Sequence, residues 1–384
     1  MPTLPTPPQS VLVVPPPFVG DAIVNTPLLA ALRQALPNAT IGHAVAGGGY
    51  ELLKHLPTVD RWHVWQQSTP KTWRQLSAFN YDAVLLLRTS FRDAWLAKRA
   101  GIPVRIGYSR QRFFQQWYRN VGACLTHVVP HPLPNTTVPQ AEFVRDAFLT
   151  PLLHQAGLLA PHEMLPPNTT PLSLAFDESA TSSLLNKLPG FVQLASAPVA
   201  VVHLAAASQN KGIDGAVILP ALVSLAKQHG YQLVMSGPAN MRQTYEAWWA
   251  TPLARAGIPW VNMAGNTTLP ELAALLGEAS LLLSLDSATL HMAAAMQTPA
   301  IVGIYGATSA QQWAPYWPQA CGQPSPFANH PVTLALPCRA ACYTKACSHN
   351  QCRGDLTSHH VLRSVEMALA QSQARHITKE LQPC

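Results

Sequence analysis

Apolar and polar positions alternate along the chain in two successive series of the same kind. Short apolar runs of four to six residues are followed by longer stretches in which apolar residues recur at helical spacing. In the first series the strands fall at Ser10–Val14, Thr40–Val45, Val59–Trp65, Ala83–Leu87 and Val104–Gly107. Helices fall at Ala22–Leu36, at Tyr50 to about His55 after a Gly-Gly-Gly turn, and at Phe91–Ala100. From Arg110 to Pro139 the pattern breaks down into a basic, aromatic and then Pro/His/Thr-rich stretch, read as a long irregular loop. A helix resumes at Gln140–Gln155, and Ala160–Pro171, with four prolines and no periodicity, reads as a linker.

The second series has strands at Val199–Leu204, Gln232–Ser236, Pro259–Met263, Leu281–Leu285 and Ala300–Ile304. Its helices are Asp177–Leu188, Ala216–His229, Met241–Trp249, Leu269–Glu278 and a run beginning after Ser287, and a last helix lies near Ser358–Gln373. Strands alternating with helices specify a parallel sheet covered on both faces. The expected organisation is two α/β domains, 1–165 and 172–335, then a cysteine-containing segment with a terminal helix, 336–384. In open sheets of this kind, ligands bind beyond the carboxyl ends of the strands. The polar turns PFVGD, AAASQNK, SGPAN, LDSAT and YGATS all fall there.

Composition narrows the functional classes. Hydrophobic residues make up 48% of the chain and charged residues only 11%, which favours a large core over disorder. No apolar run reaches the roughly 18 residues a membrane helix needs. The start, MPTLPTPPQS, has no basic region before an apolar one, so a cytoplasmic protein is expected. The net charge of +7 suits an anionic partner such as a nucleotide phosphate, an acidic glycolipid or a membrane surface. The scattered Lys and Arg residues carry no nucleic-acid signature.

The stretch Leu281–Ala295, LLLSLDSATLHMAAA, is the densest in chemistry. A helix starting on a polar turn presents backbone N–H groups and a positive dipole end to a phosphate. Asp286, Ser287, Thr289 and His291 cluster there; an Asp/Ser N-cap with His291 on a solvated face is the alternative. Asp21, after Gly20 at the end of the first strand, reads either as a helix cap or as a carboxylate aimed at a ligand. Lys211, on a turn after a strand, reads either as a surface lysine or as a mobile positive charge. Cys338, Cys342, Cys347 and Cys352 are spaced too loosely for the usual zinc pattern. A structural zinc, buried thiols and disulfides all stay open for them. No D-x-D pair ends a strand, so no catalytic metal is suggested.

These motifs, in this order, resemble glycosyltransferase family 9, the heptosyltransferases of lipopolysaccharide core synthesis. The resemblance rests on Phe18-Val19-Gly20-Asp21, Ser90-Phe91-Arg92, Ala100–Gly107, His203–Lys211, Leu285–His291 and Tyr305-Gly306-Ala307-Thr308-Ser309, with the late cysteines as a further likeness. It departs from the family pattern at Leu285, where Asn is usual, and at Ala288, where Gly is usual. It departs again at Ile213, where an aromatic is usual, and at Ala205 or Ala206, where Gly is usual.

The resemblance implies a GT-B fold, two Rossmann-like parallel-sheet domains facing each other across a cleft. It implies an inverting, metal-independent transfer of heptose from ADP-heptose to the inner core, Kdo or heptose, of lipopolysaccharide, with no cofactor required. Asp21 would be the base, and Lys211 would stabilise the departing diphosphate. Ser208, Ser236, Gly237, Asp286, Ser287, Ala288, Thr289 and His291 would bind the donor. Gly20, Ser90, Arg92, Arg105, Arg110 and Arg112 would bind an anionic acceptor. Peripheral contact with the cytoplasmic face of the inner membrane follows from a lipid-borne acceptor. A related transferase with another nucleotide sugar or a protein acceptor, or a glycan- or nucleotide-binding homologue without turnover, are the alternatives.

Overall fold

The computed structural model describes residues 7–65, 69–88, 90–109, 122–130, 137–188, 197–205, 213–306, 308–318, 325–333 and 356–381. The chain divides into two compact units, the boundary falling between Ala175 and Phe176. That is just beyond the expected linker.

The first unit runs β1 (Ser10–Val14), α1 (Val19–Val24), α2 (Thr26–Ala35), β2 (Thr40–Val45), α3 (Gly47–Leu53), β3 (Arg61–Val64), α4 (Pro70–Ser77), β4 (Ala83–Leu86), α5 (Phe91–Arg99), β5 (Val104–Ser109), β6 (His127–Pro130) and α6 (Gln140–Gln155). Its described strands form one parallel sheet in the order β3-β2-β1-β4-β5-β6. The order reverses between β1 and β4. Leu12, Val14, Val84 and Leu86 pack on one face against Trp73 and Leu76 of α4 and Ala94, Leu96 and Ala97 of α5.

Several elements depart from the pattern reading. The single helix expected over Ala22–Leu36 is two, because Pro27 supplies no N–H to bond back into α1 and the chain turns at Asn25. The Gly-Gly-Gly stretch is the first turn of α3 and not a loop. The pattern missed α4, which has only Trp73 and Leu76 as buried residues. Its start is fixed by a reciprocal Thr69–Thr72 capping box and by Pro70 in the first turn. Strand β6 lies inside the stretch read as irregular.

The second unit runs α7 (Ser179–Lys187), β7 (Val199–His203), α8 (Gly215–Lys227), β8 (Gln232–Ser236), α9 (Met241–Arg255), β9 (Trp260–Asn262), α10 (Leu269–Glu278), β10 (Leu281–Leu285), α11 (Ala288–Ala295), β11 (Ala300–Tyr305), α12 (Ala310–Trp313), β12 (Ala328–Asn329), β13 (Val332–Thr333) and α13 (Ser358–Leu381). The parallel order is β12-β11-β10-β7-β8-β9, with β13 also on β11. It reverses between β7 and β10. Gly215 starts α8 beneath Trp248, whose ring lies 2.3 Å from where a β-carbon would stand, so no larger residue fits without displacement. Trp249 beside it is fully buried and donates its indole N–H to Gly215 O at 3.0 Å. Helix α13 packs Val361, Val365, Ala368 and Leu369 into this core, so the terminal helix belongs to the second unit.

Candidate active site

In a parallel sheet the point where strand order reverses leaves a crevice at the carboxyl edge, because the loops on either side diverge. Each unit has one such point, and candidate residues line both.

In the first unit, β1 leads through Phe18, the N-cap residue of α1, to Gly20 and Asp21 in the helix's first turn. Asp21 is only half-buried by surface, yet its carboxyl is poorly hydrated. Desolvation raises its pKa from 3.8 to about 7, outweighing a backbone hydrogen bond that favours the anion. A carboxyl that titrates near neutrality is about half ionised at pH 7 and is a better proton acceptor than an ordinary carboxylate. Tyr108 on β5 is buried near enough to feel that charge; burial first, and the Asp21 charge second, raise its phenol, which stays neutral. Its ring is set by an edge contact with Phe148 at 4.8 Å.

Across the reversal, the chain leaving β4 carries Arg88 and Ser90. Arg88 Nε donates to the fully buried Asp93 at 2.7 Å, and the Ser90 hydroxyl accepts from Asp93 N at 3.2 Å as the cap of α5. Arg92 is exposed in the first turn of that helix. Arg105 is different. It is the second residue of β5, toward the opposite edge of the sheet, and its guanidinium is committed to the carbonyls of Cys124 (2.6 Å), Ile102 (2.5 Å) and Pro103 (3.0 Å). It ties strand ends together there instead of standing beside Asp21 at the carboxyl edge. Arg110 and Arg112 lie outside the described residues.

In the second unit the register builds a polar row at the carboxyl edge. Gly303, Ser284, His203 and Ser236 are level across β11, β10, β7 and β8. His203 Nδ1 and Ser236 Oγ are 3.1 Å apart. Burial lowers the His203 pKa to about 4, so the ring is neutral. The Tyr245 hydroxyl donates to Ser236 O at 3.0 Å and accepts from Leu204 N at 2.9 Å, tying the loops after β7 and β8 together. Gly237, next in the β8 loop, accepts from Gly265 N at 2.8 Å.

Beyond the row stand Asp286 and Ser287. The buried Asp286 carboxylate takes a short hydrogen bond from the Thr308 hydroxyl, joining the turns after β10 and β11. Tyr305, fully buried, feels the same carboxylate; burial and then that charge hold its phenol well above its usual range. Ser287 is the extended N-cap of α11, but its hydroxyl sits 3.2 Å from Ser284 Oγ instead of folding back onto the helix's first amides. Ala288 and Thr289 follow in the first turn, and His291 is buried with its ring 6.5 Å from that of Trp313. Two of the departures are accommodated: Leu285 closes the buried run of β10, and Ile213 packs against the second-unit core. Ser208, Lys211 and the four late cysteines lie outside the described residues. No group of three metal-binding side chains occurs among the described residues.

The pattern reading overlooked Arg88 and Tyr108, and it named His203 and Thr308 only as members of motif segments, without a role. Arg88 and His203 had a signal, a charged or polar residue closing an otherwise apolar strand (AVLLLR, VAVVH). Tyr108 had none.

The model of glycosyltransferase family 9 (heptosyltransferase) matches residues 70–131 and 144–340. The chain belongs to glycosyltransferase family 9. It is therefore a glycosyltransferase, with the two-sheet α/β architecture of the GT-B fold. Lipopolysaccharide heptosyltransferase 3 of Escherichia coli is 23% identical over 316 residues, 78% of this chain and 84% of that protein. The structure of E. coli ADP-heptose lps heptosyltransferase II superposes with a TM-score of 0.67 at 22% identity, covering 95% of this chain and 99% of that one. E. coli heptosyltransferase WaaC with ADP gives a TM-score of 0.62 at 18% identity, covering 94% and 99%.

Proposed function

We propose that this family 9 enzyme transfers heptose from ADP-heptose to the inner core, Kdo or heptose, of a lipopolysaccharide acceptor, without a metal. The observation that carries the reading is Asp21, a carboxyl poised near pH 7 at the strand-order reversal of the first sheet.

In this mechanism Asp21 takes the proton of the acceptor hydroxyl as its oxygen attacks the anomeric carbon of the donor. The bond to the diphosphate breaks in the same displacement, and ADP leaves with the bonding pair. The growing negative charge meets the N-terminal turn of α11 with Ser287 and Thr289, where backbone N–H groups and the helix dipole favour an anion. Lys211 supplies a positive charge that can follow the leaving group. Asp286 repels phosphate, so it serves by holding Thr308 and the turn, or by taking a sugar hydroxyl. Ser236, Gly237 and Ser208 complete the donor side. Gly20, Ser90, Arg92, Arg110 and Arg112 serve the anionic acceptor, with Arg88 added by its position. Work on a lipid-borne acceptor places the enzyme in the cytoplasm, in peripheral contact with the inner membrane. Two facts support this: E. coli relatives are named for ADP-heptose and lipopolysaccharide, and no described helix is long and apolar enough to cross a membrane.

A screen of nucleotide sugars with a heptose-deficient lipopolysaccharide acceptor tests the proposal by time-dependent nucleotide release. ADP release that requires both ADP-heptose and acceptor is expected. Faster turnover of a different nucleotide sugar, or saturable binding with no release, would overturn it.

A further inference from the structure

The layer formed by α4 and α5 carries an exposed face that catalysis does not use. Both helices bury one side on the same face of the first sheet, through Trp73 and Leu76 and through Ala94, Leu96 and Ala97. Their outward positions, apart from Arg92 at the acceptor end of α5, are Lys71 and Arg74 on α4 and Trp95, Lys98 and Arg99 on α5, all exposed. On α5 these follow at spacings of three and four, which puts them on one side of the helix. The only acidic residue of either helix, Asp93, is fully buried against Arg88. The outward face is therefore basic with no acidic side chain of its own helices to offset it.

Two exposed aromatics accompany these helices, Trp95 on α5 and Phe79 in the turn after α4, each with an arginine over its ring. Trp95 is 41% exposed with the Arg99 guanidinium 5.5 Å from its ring centre. Phe79, two residues past α4, is 41% exposed with Arg61 at 5.2 Å. Lys98 Nζ donates to Ala123 O at 3.2 Å, which anchors the end of α5. Isolated exposed aromatics need no explanation, but two arginine-covered aromatics in a field of lysine and arginine are an interfacial pattern. The rings enter the headgroup region while the cations meet lipid phosphates.

We propose that the α4–α5 face docks this enzyme on an anionic lipid bilayer. The inference extends the functional reading above, which requires a membrane-borne acceptor, by naming the surface that meets the membrane. A soluble acidic protein would meet charges and rings alike; the bilayer is chosen because the acceptor of the functional reading is lipid-borne, and the vesicle experiment separates the two.

Co-sedimentation of the full chain with phosphatidylglycerol-containing and pure phosphatidylcholine vesicles, at low and high salt, tests it. Wild type should bind the anionic vesicles preferentially and release from them in high salt. Neutralising three charges together, Lys71→Gln, Arg74→Gln and Arg99→Gln, should lower vesicle partitioning by at least about tenfold. Trp95→Ser alone should lower it severalfold. Turnover on a delipidated, soluble acceptor should be unchanged in both variants, and their melting temperatures should match wild type. Equal binding to both vesicle types, no binding at all, or undiminished binding by the triple variant would overturn the proposal. So would loss of turnover on the soluble acceptor, which would make the face an acceptor site. If no variant and no wild type transfers heptose while vesicle binding behaves as described, the functional reading fails and the docking face stands.

Discussion

Replacing Asp21 with Asn preserves the side chain's shape and removes its titration. The carboxyl titrates near 7 in the folded chain against 3.8 for an unburied one. At about 1.4 kcal/mol per pH unit the shift sets a ceiling of about 4 kcal/mol, and partial hydration of the half-buried carboxyl brings the cost of keeping it ionised at pH 8 to roughly 2–4 kcal/mol. The sign follows from the protons held. Between about pH 4 and 7 the folded chain keeps a proton that the unfolded chain has released, so stability falls as pH rises through that window. Asp21→Asn escapes the fall. It should match wild type in thermal unfolding at pH 4 and exceed it at pH 8, by roughly 4–12 °C. Activity should move the other way. The kcat/KM of wild type should rise with pH along a limb centred near 7. Asp21→Asn should lose about 10²–10⁴ in kcat while donor affinity holds. Turnover close to wild type in Asp21→Asn would refute the base assignment, and no gain in stability at pH 8 would refute the desolvation argument beneath it.

Other consequences are as concrete. Thr308→Val removes the hydroxyl donated to the buried Asp286; it should cost about 1–3 kcal/mol in urea unfolding and raise KM for the donor, with Thr308→Ser restoring both. Glu271 is buried, which alone would raise its pKa, yet bonds from Lys187, Ser183 and Thr268 bring it down to about 2. Its stabilisation should therefore be complete above about pH 4.5 and fade as pH falls toward 2, and Glu271→Gln should flatten that acid limb of the stability curve. Lys211→Ala should weaken both ADP binding, read by calorimetry, and kcat; unchanged kcat would remove lysine from the leaving-group role. Gly42→Ala drives a β-carbon to 2.1 Å from the Tyr81 hydroxyl, so a loss of about 1–3 kcal/mol is expected by denaturant titration.

The two-sheet plan was legible because its central strands are nearly all apolar. Val11–Val14, Ala83–Leu86, Val199–His203 and Leu281–Leu285 are buried on both faces, and nothing but a covered parallel sheet suits such runs. The break at Asn25 was written in Pro27 but masked by the apolar residues on either side, Ile23 and Val24 before it and Leu28 and Leu29 after it. Helix α4 was invisible because a layer helix resting on two large residues shows no long stripe. The carboxyl-edge turns could be located, yet the pairing of Thr308 with Asp286, and of His203 with Ser236, depends on strand neighbours far apart in the chain. Arg105 misled for the same reason. Its motif sits near the start of β5, and only the register shows that the start of that strand lies at the opposite edge from Asp21.

Parallel strands also leave each sheet with a second rim, where only return connections run. Leu36–Ala39 before β2 and Ala256–Pro259 before β9 are such connections, the latter passing through Gly257 in a left-handed conformation. Those are the places to graft an affinity handle, a fluorophore or a whole inserted module, since an engineer working there touches none of the turns at the strands' carboxyl ends.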